Sequence, residues 1–247
     1  LALSTEKLLA GTDSEITTVG YYCNPIQYAE HRKTLENVIC TAGKFGATHV
    51  STFAGAWEGK PVESAYEEFG KVFRELADLA EEKGVKLGIE NCLMDGTWEH
   101  ATCNIGFNPK AWEVMFEEVK NDNFGLEWEP THQMVQLIDP VTELRKWCKK
   151  IVHIHGKDAT IDWDAVRHSG ISGAVPFVWH RMPGFGDTNW RDIISILRSN
   201  GYEDDICIEG YHDPVYSGEL EMTGQLHALN YLKWCRGGDF TPTPWAK

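Results

Sequence analysis

The stretch FGLEWEPTH, residues 124–132, is typical of a β-strand that ends in an acid. Successive residues of a strand point to opposite faces, so Glu127 and Glu129 share one face. Proline lacks the N–H that a sheet ladder needs, so Pro130 is predicted to end the strand. The stretch therefore predicts a strand whose last side chain is Glu129, followed by a loop that contains His132.

Three further segments are rich in β-forming residues and also end in a side chain that can bind a metal ion. VKLGIE ends in Glu90, IVHIH ends in His155 and DICIE ends in Glu209. The carboxyl ends of parallel strands meet at one edge of a sheet, so these side chains are expected to converge with Glu129.

Predicted strands alternate with predicted helices along the chain. The predicted strands are residues 16–22, 49–54, 85–90, 124–129, 151–155 and 205–209. Apolar residues at helical spacing, with Pro and Gly at the ends, predict helices between them. The segment 156–187, rich in Gly and Pro, is expected to be long and irregular. This alternation is typical of βα units and a parallel sheet.

The predicted fold class is α/β, a (β/α)8 TIM barrel whose first two βα units are absent from this chain. A closed barrel needs eight strands, and six are predicted here. An open doubly wound sheet usually carries a phosphate turn such as GxGxxG, which this sequence lacks. We expect one domain over residues 1–247, with 236–247 as a loose tail.

Composition limits the partners that this chain can have. The sequence has 23 Lys and Arg against 37 Asp and Glu, a formal net charge of −14. That charge argues against nucleic acid or an anionic membrane as the main partner. Seven scattered cysteines without a CxxC pair indicate reduced thiols in a cytoplasmic protein. The sequence contains no run of about 18 apolar residues, so it predicts no membrane span.

The four strand ends together predict a site for one divalent metal ion. A polar barrel rim would explain one such residue, but four in succession favour metal binding. The predicted ligands are Glu90, Glu129, His155 and Glu209. Three carboxylates and one imidazole suit Mn²⁺ best, with Mg²⁺, Co²⁺ or Zn²⁺ as alternatives.

Two of these strands carry a second candidate on the same face, Glu127 and His153. Residues i and i+2 lie about 6.6 Å apart along a strand, so both members of a pair are not expected to bind one ion. The inner pair would lie one layer deeper on adjacent strands. A buried charge needs a partner, so we predict that Glu127 and His153 hydrogen-bond to each other.

Five motifs occur in an order and spacing that resemble a known family. They are IEN (89–91), EPTH (129–132), HIHGKD (153–158), RMPGFGDTNW (181–190) and GYEDDICIEGYHDP (201–214). Together they resemble the sugar phosphate isomerase/epimerase family, the xylose-isomerase-like βα barrels. The resemblance covers about residues 16–234. It is specific for the superfamily and not for a substrate.

The resemblance implies residue roles at the matching positions. It implies that a divalent ion is held by Glu90, Glu129, His155 and Glu209. The family usually has Asp where this chain has Glu129, and the extra methylene requires a shift of the ion or the strand end, or bidentate binding. The positions that resemble substrate contacts are His132, Lys157 and Arg181.

The resemblance further implies an isomerase or epimerase that acts on a keto-sugar or cyclitol. Glu90 and Glu209 match the proton-transfer pair of the ketose 3-epimerases, which flank the substrate from opposite sides. Proton abstraction next to a carbonyl held by the metal would give an enediolate. The same first step leads to a dehydratase or lyase acting on a keto-sugar, keto-glycoside or inosose.

Two other classes of function remain as alternatives. An endonuclease of the same superfamily is disfavoured by the charge of −14 and by a ligand set for a single ion. A non-catalytic barrel subunit is disfavoured by the complete ligand set. We expect a small sugar substrate as ligand, and either a homo-oligomer or a partner chain that completes the barrel.

Overall fold

The structure is a computed structural model that describes residues 2–238 and residue 242. A parallel sheet of six strands forms its centre, in the order β1-β2-β3-β4-β5-β8. Its strands are β1 Thr18–Gly20, β2 His49–Thr52, β3 Lys86–Glu90, β4 Phe124–Trp128, β5 Ile151–Gly156 and β8 Ile206–Ile208. Between β5 and β8 the chain forms a separate two-stranded sheet of β6 Asp158–Ile161 and β7 Val178–Arg181. The predicted α/β fold with six parallel strands is confirmed.

The sheet is curled into a half-barrel. Thr18 on β1 and His153 on β5 are separated by three strands, yet Thr18 Oγ1 lies 3.4 Å from His153 Nδ1. Neighbouring strands rotate against each other, so a sheet of this width curves toward closure. Side chains from distant strands therefore meet inside the curve.

Helices precede, connect and follow these strands along the chain. They are α1 Ala2–Leu9, α2 Ala29–Thr41, α3 Tyr66–Glu82, α4 Pro109–Glu118, α5 Pro130–Met134, α6 Pro140–Trp147, α7 Trp163–Ser169, α8 Trp190–Ser199 and α9 Glu221–Arg236. The α3 helix buries Phe69 and Phe73, whose rings lie 6.3 Å and 6.0 Å from that of Phe124 on β4. This contact fixes β4 and the acid that follows it. Among the described residues, no helix is long and apolar enough to cross a bilayer.

The prediction of an irregular segment over residues 156–187 is wrong. Strands β6 and β7 pair antiparallel there, with Asp158 opposite Arg181, and helix α7 lies between them. The two strands are short and lie far apart in sequence, so no local periodicity reveals their pairing. The hairpin places residues near the carboxyl end of β5.

Two predicted boundaries are also corrected. His132 lies within the short helix α5 and not in a loop, because Pro130 occupies the first helical position, where its fixed φ is favourable. Arg236 is the last residue of α9 and not part of the predicted tail. Most of that tail, 239–241 and 243–247, lies outside the described residues.

Candidate metal and active site

The four predicted strand ends meet at the carboxyl edge of the sheet. Glu90 is the last residue of β3, and Glu129 and Glu209 directly follow β4 and β8. Ligand atoms of these three residues and of His155 on β5 all lie within 4.8 Å of one another. We refer to these four residues as the acid cluster. The roles of its members as ligands or catalytic groups stay predictions.

One ring nitrogen of His155 faces all three carboxylates. Its Nδ1 lies 3.0 Å from Glu90 Oε1, 3.2 Å from Glu209 Oε2 and 3.7 Å from Glu129 Oε2. Four buried atoms here form no hydrogen bond with any described residue: His155 Nδ1, Glu209 Oε2 and both carboxylate oxygens of Glu129. Buried polar atoms rarely stay without partners. A divalent cation bound between them would satisfy these atoms, so the residues fit such an ion.

The opposite ring nitrogen of His155 faces Glu127. Its Nε2 lies 3.2 Å from Glu127 Oε1, and the Tyr22 hydroxyl donates to Glu127 Oε2 at 2.8 Å. A carboxylate behind a metal-binding imidazole fixes the ring orientation and raises its basicity. Glu127 therefore fixes the orientation of the His155 ring from the side opposite the acid cluster.

The predicted hydrogen bond between Glu127 and His153 is wrong. The two residues are partners in the β4–β5 register, but His153 Nε2 lies 3.9 Å from Glu127 Oε1. Tyr22 donates to Glu127 Oε2, His155 Nε2 lies closer to Glu127 Oε1 than His153 does, at 3.2 Å, and His153 contacts Thr18 instead. Burial lowers the pKa of His153 to about 4, so its ring is neutral near pH 7.

Electrostatics keep the centre of the acid cluster charged. Burial acts to raise the pKa of Glu129, but His132, His155 and Lys157 hold it well below its usual value. For His155, burial acts to lower the pKa, and the surrounding carboxylates outweigh it and raise the pKa. The carboxylates of the cluster therefore favour positive charge at their centre.

Two of the three predicted substrate contacts lie beside the acid cluster. The buried Lys157 donates from Nζ to Glu209 Oε1 at 2.9 Å and lies 3.8 Å from Glu129 Oε1. His132 Nε2 lies 3.3 Å from Glu129 Oε1. The structure thus brings Lys157 and His132 together with the four strand ends.

The predicted substrate contact Arg181 pairs with an acid in this structure, and its role stays a prediction. Arg181 Nε donates to Asp213 Oδ2 at 3.3 Å, and Arg181 is not among the described residues that line the cavity. Neighbouring residues on β7 point to opposite faces, so His180 faces the cavity instead.

A cavity of about 780 Å³ opens next to the acid cluster, and Glu90, His155, Lys157 and Glu209 line it. Its other walls contain side chains that the sequence did not single out as site residues. These include the aromatic rings of Tyr22 and Phe53, and Cys92, His180 and Tyr211. The only signal for Tyr22, Phe53, Cys92 and Tyr211 is that each follows a strand, and His180 lies within β7. Such a position is too weak a signal to identify a site residue.

Asp158 holds the loop that follows β7. Its carboxylate accepts hydrogen bonds from the backbone N–H groups of Ala159, Gly184, Gly186 and Thr188. Asp158 directly follows Lys157 in the chain, so these hydrogen bonds tie the Gly-rich turn after β7 to the start of β6. It organises the loop and does not contact Lys157 through a hydrogen bond in the described part of the chain.

Comparison with known proteins extends the resemblance over most of the chain. The model of the xylose isomerase-like TIM barrel family matches residues 4–233. An inosose dehydratase from Clostridium tetani is 26% identical over 182 residues, which cover 72% of this chain and 57% of that protein. The chain thus spans little more than half the length of this relative.

Solved structures share the fold. A xylose isomerase domain protein from Planctomyces limnophilus superposes with a TM-score of 0.72 at 18% identity, covering 96% of this chain and 83% of that one. The IOLI protein, solved with a bound zinc atom, superposes with a TM-score of 0.67 at 19% identity, covering 95% and 79%. The family predicted from five motifs is confirmed: this chain belongs to the xylose isomerase-like TIM barrel family.

Proposed function

We propose that this chain carries the active site of a divalent-metal-dependent dehydratase that acts on an inosose or a related keto-sugar. The enzyme would remove a proton beside the carbonyl and expel a neighbouring hydroxyl as water. One observation carries this choice: the two glutamates that line the cavity differ in their partners. Glu209 is paired with Lys157, whereas no ion pair joins Glu90 to a lysine or arginine in the described part of the chain.

The residues that would hold the ion are those of the acid cluster, Glu90, Glu129, His155 and Glu209. Mn²⁺ is our first choice, because three carboxylates and one imidazole form an oxygen-rich set. When bound, the ion supplies Lewis-acid stabilisation of negative charge on a substrate oxygen. The zinc in the IOLI protein makes Zn²⁺ the second choice.

Glu90 is the proposed base. Its side chain lines the cavity, and burial raises its pKa above the usual value for a carboxyl. A base whose pKa lies closer to the working pH removes a proton more readily once it is ionised. Glu90 would take the proton from the carbon next to the carbonyl, and the electron pair of that C–H bond would enter the carbonyl group.

The Lys157–Glu209 pair is the proposed acid. Burial acts to lower the pKa of Lys157, but Glu129 and Glu209 outweigh it and raise the pKa, so the ammonium is charged near pH 7. Lys157 lines the cavity on the side of Glu209. It would give a proton to the departing hydroxyl, which leaves as water. The carbonyl group re-forms, and the electron pair of the broken C–H bond becomes the new C=C bond. Glu90 then holds the proton taken from carbon, and its transfer to Lys157 through solvent restores both groups.

Isomerisation or epimerisation is the second candidate. Glu90 and Glu209 both line the cavity, and their strands are separated by β4 and β5 in the sheet. If Glu209 returned a proton to the opposite face of the same carbon, the product would be an epimer instead of a dehydrated sugar. This outcome needs the hydroxyl to stay in place.

The test is incubation of Mn²⁺-loaded protein with an inosose in D₂O, followed by NMR and mass spectrometry. Dehydration predicts a product lighter by one water, with a new ultraviolet absorption from the conjugated carbonyl. Epimerisation predicts a deuterated diastereomer without loss of water. Recovery of unchanged, undeuterated inosose from a metal-loaded sample would contradict the proposal.

Variants assign the two roles. Glu90→Gln should abolish both deuterium exchange and product formation. Lys157→Met should retain exchange but lose elimination. The exposed Glu219, changed to Gln, serves as a matched control and should keep full activity. An active Glu90→Gln variant would remove Glu90 from the role of base.

A further inference from the structure

The hairpin of β6 and β7, with helix α7 between the two strands, carries exposed apolar side chains. Helix α7 buries none of its residues. Asp162 N–H donates to the Phe177 carbonyl at 2.8 Å, which places the start of α7 beside the segment 175–177. Four large apolar side chains of the hairpin are between 43% and 63% exposed: Trp163, Ile171, Val175 and Trp179. We refer to these four residues as the hairpin surface.

Trp179 of the hairpin surface points away from the cavity. Its neighbour His180 lines the cavity, and successive residues of a strand point to opposite faces. Tryptophan is enriched at contacts between proteins, where its ring buries a large apolar area. The hairpin surface is therefore suited to contact with another protein on a side that leaves the cavity free.

The hairpin surface lies on a neutral segment of a strongly acidic chain. Residues 163–179 contain one Asp, one Arg and no other charged residue, and these two pair with each other, with Arg167 Nη1 2.9 Å from Asp164 Oδ1. The whole chain has a formal charge of −14, so two copies repel each other. Salt screens charges that lie more than about 8 Å apart, so the local charge decides at a contact. Two copies that meet at this segment bring no like charges together.

One edge of β6 is already occupied within the chain. Asp187 N–H donates to the Ala159 carbonyl at 2.7 Å, and Ile161 N–H donates to Asp187 Oδ2 at 2.8 Å. The backbone groups of successive residues in a strand alternate between its two edges. Ala159 and Ile161 face Asp187, so Thr160 between them bonds to β7.

The same alternation identifies the backbone groups on the outer edge of β7. Thr160 lies opposite Trp179, so Trp179 bonds to β6. The N–H and C=O groups of Val178 and His180 then point to the other edge, where no described residue bonds to them. An open strand edge pairs readily with a strand of another chain. A sheet of two strands is also marginal, so an added strand stabilises it.

The base of the hairpin is held firmly to the rest of the chain. Asp213 Oδ2 accepts from the Met182 N–H at 2.7 Å and from Arg181 Nε at 3.3 Å. Asp158, at the start of β6, accepts from the N–H groups of residues 184 and 188 in the turn after β7. The outer edge of β7 is thus presented in a fixed position, which lowers the entropy lost when it pairs.

We infer that two copies of this chain associate through the hairpin surface, with their β7 strands side by side and antiparallel about a twofold axis. A twofold contact uses the same surface on both copies. A neutral, apolar surface with an open strand edge complements itself in this way. The inference goes beyond the proposed dehydration, and it is testable without metal or substrate.

The experiment is sedimentation velocity of metal-free protein over a range of concentrations. Ile171→Glu/Val175→Glu adds two acids to the hairpin surface, at exposed positions outside β6, β7 and α7. The matched control is Met222→Glu/Leu226→Glu, which makes the same kind of change at two exposed apolar residues of α9. Circular dichroism of both variants checks that the fold is kept.

The expected result is a monomer–dimer equilibrium in the wild type and in the α9 control. The hairpin variant should self-associate roughly 100-fold more weakly, as when the dominant contacts of an interface are lost. Added NaCl should strengthen the wild-type dimer, because it screens the repulsion between two acidic chains and leaves an apolar contact intact.

Three outcomes of sedimentation would overturn the inference. They are a wild type that stays monomeric, a hairpin variant that associates as the wild type does, and a dimer that is lost in the α9 control. A wild-type dimer that NaCl weakens would also contradict it, because that response indicates a contact between opposite charges.

Amide hydrogen exchange followed by NMR tests the strand pairing in the wild type, independently of any variant. The N–H groups of Val178 and His180 should exchange roughly tenfold more slowly in the dimer than in the monomer. The N–H of Trp179 bonds to β6 in both states, so its exchange should change less. A dimer in which Val178 and His180 exchange as they do in the monomer would overturn the inference.

Discussion

His155 Nε2 lies 3.2 Å from Glu127 Oε1, on the side of the ring that faces away from the acid cluster. The arrangement leaves Nδ1 directed at the three carboxylates, where an ion would bind. Glu127 is fully buried and is held in turn by the Tyr22 hydroxyl. The tautomer and orientation of His155 thus depend on a residue that does not belong to the acid cluster.

We predict that Glu127→Gln weakens divalent metal binding by roughly 10- to 100-fold, because a neutral amide orients His155 but does not raise its basicity. Isothermal titration with Mn²⁺ measures the change. The Glu219→Gln control on the surface should bind as the wild type does. Equal affinity in Glu127→Gln and the wild type would show that Glu127 does not act through His155.

We predict that Lys157→Met destabilises the metal-free protein by about 3 kcal/mol, because it leaves buried carboxylates without their cation. Lys157 is 3% exposed and pairs with Glu209 and Glu129. Urea unfolding of chelator-treated samples measures the loss. Added Mn²⁺ should restore part of it, since the ion supplies positive charge at the same place.

The matched control for this change is Lys71→Met. Lys71 pairs with Glu67 on the surface of α3, where water screens the interaction. Its unfolding midpoint should stay that of the wild type. If Lys71→Met and Lys157→Met lower the free energy of unfolding equally, burial does not explain the contribution of the Lys157 pair to stability.

We predict that Asp158→Asn loosens the loop after β7 and costs about 2 to 4 kcal/mol of stability. Asp158 is fully buried and accepts four backbone hydrogen bonds, and an amide has only one acceptor oxygen to replace two. Denaturant unfolding gives the stability. Faster hydrogen exchange at Gly184 and Thr188 locates the effect, and unchanged exchange there would contradict it.

We predict that His180 makes the fold sensitive to acid. Burial, and then the charge of Lys157, lower the pKa of His180 to about 4. Below its unfolded pKa near 6.5 the unfolded chain binds a proton that the folded chain does not, so stability falls as the pH drops from about 6.5 toward 4. His180→Gln should remove this part of the fall.

The measurement is urea unfolding of metal-free wild type and His180→Gln at pH 7 and pH 5. Between these values the wild type should lose roughly 1 to 2 kcal/mol more than the variant, after allowance for partial exposure of the ring. The exposed His168, changed to Gln, should follow the wild type. Parallel pH curves for wild type and His180→Gln would contradict the prediction.

The convergence of Glu90, Glu129, His155 and Glu209 could be predicted because each local signal is strong. Residue alternation and Pro130 define where β4 ends, and the βα order makes the strands parallel. Parallel strands in one sheet place their carboxyl ends at one edge. No long-range contact needs to be known for this conclusion.

The side-chain partners within the site could not be predicted in the same way. Glu127 and His153 face each other in the strand register, as expected, but Tyr22 and His155 occupy the two oxygens of Glu127. Tyr22 follows β1, which reaches this position only because the sheet curls. A pairing of β6 with β7 was equally invisible, since helix α7 and a Gly-rich segment separate the two strands.

The sequence by itself determined the α/β class, the six parallel strands and the acidic or imidazole side chain at four strand ends, because these depend on periodicity and on proline. Only the tertiary structure decided that Lys157 is buried against Glu209, that Arg181 pairs with Asp213, and that Cys92 and His132 meet Glu90. Those contacts depend on the curl of the sheet and on which charged groups compete for a partner, and neither is encoded in the spacing of residues along one strand.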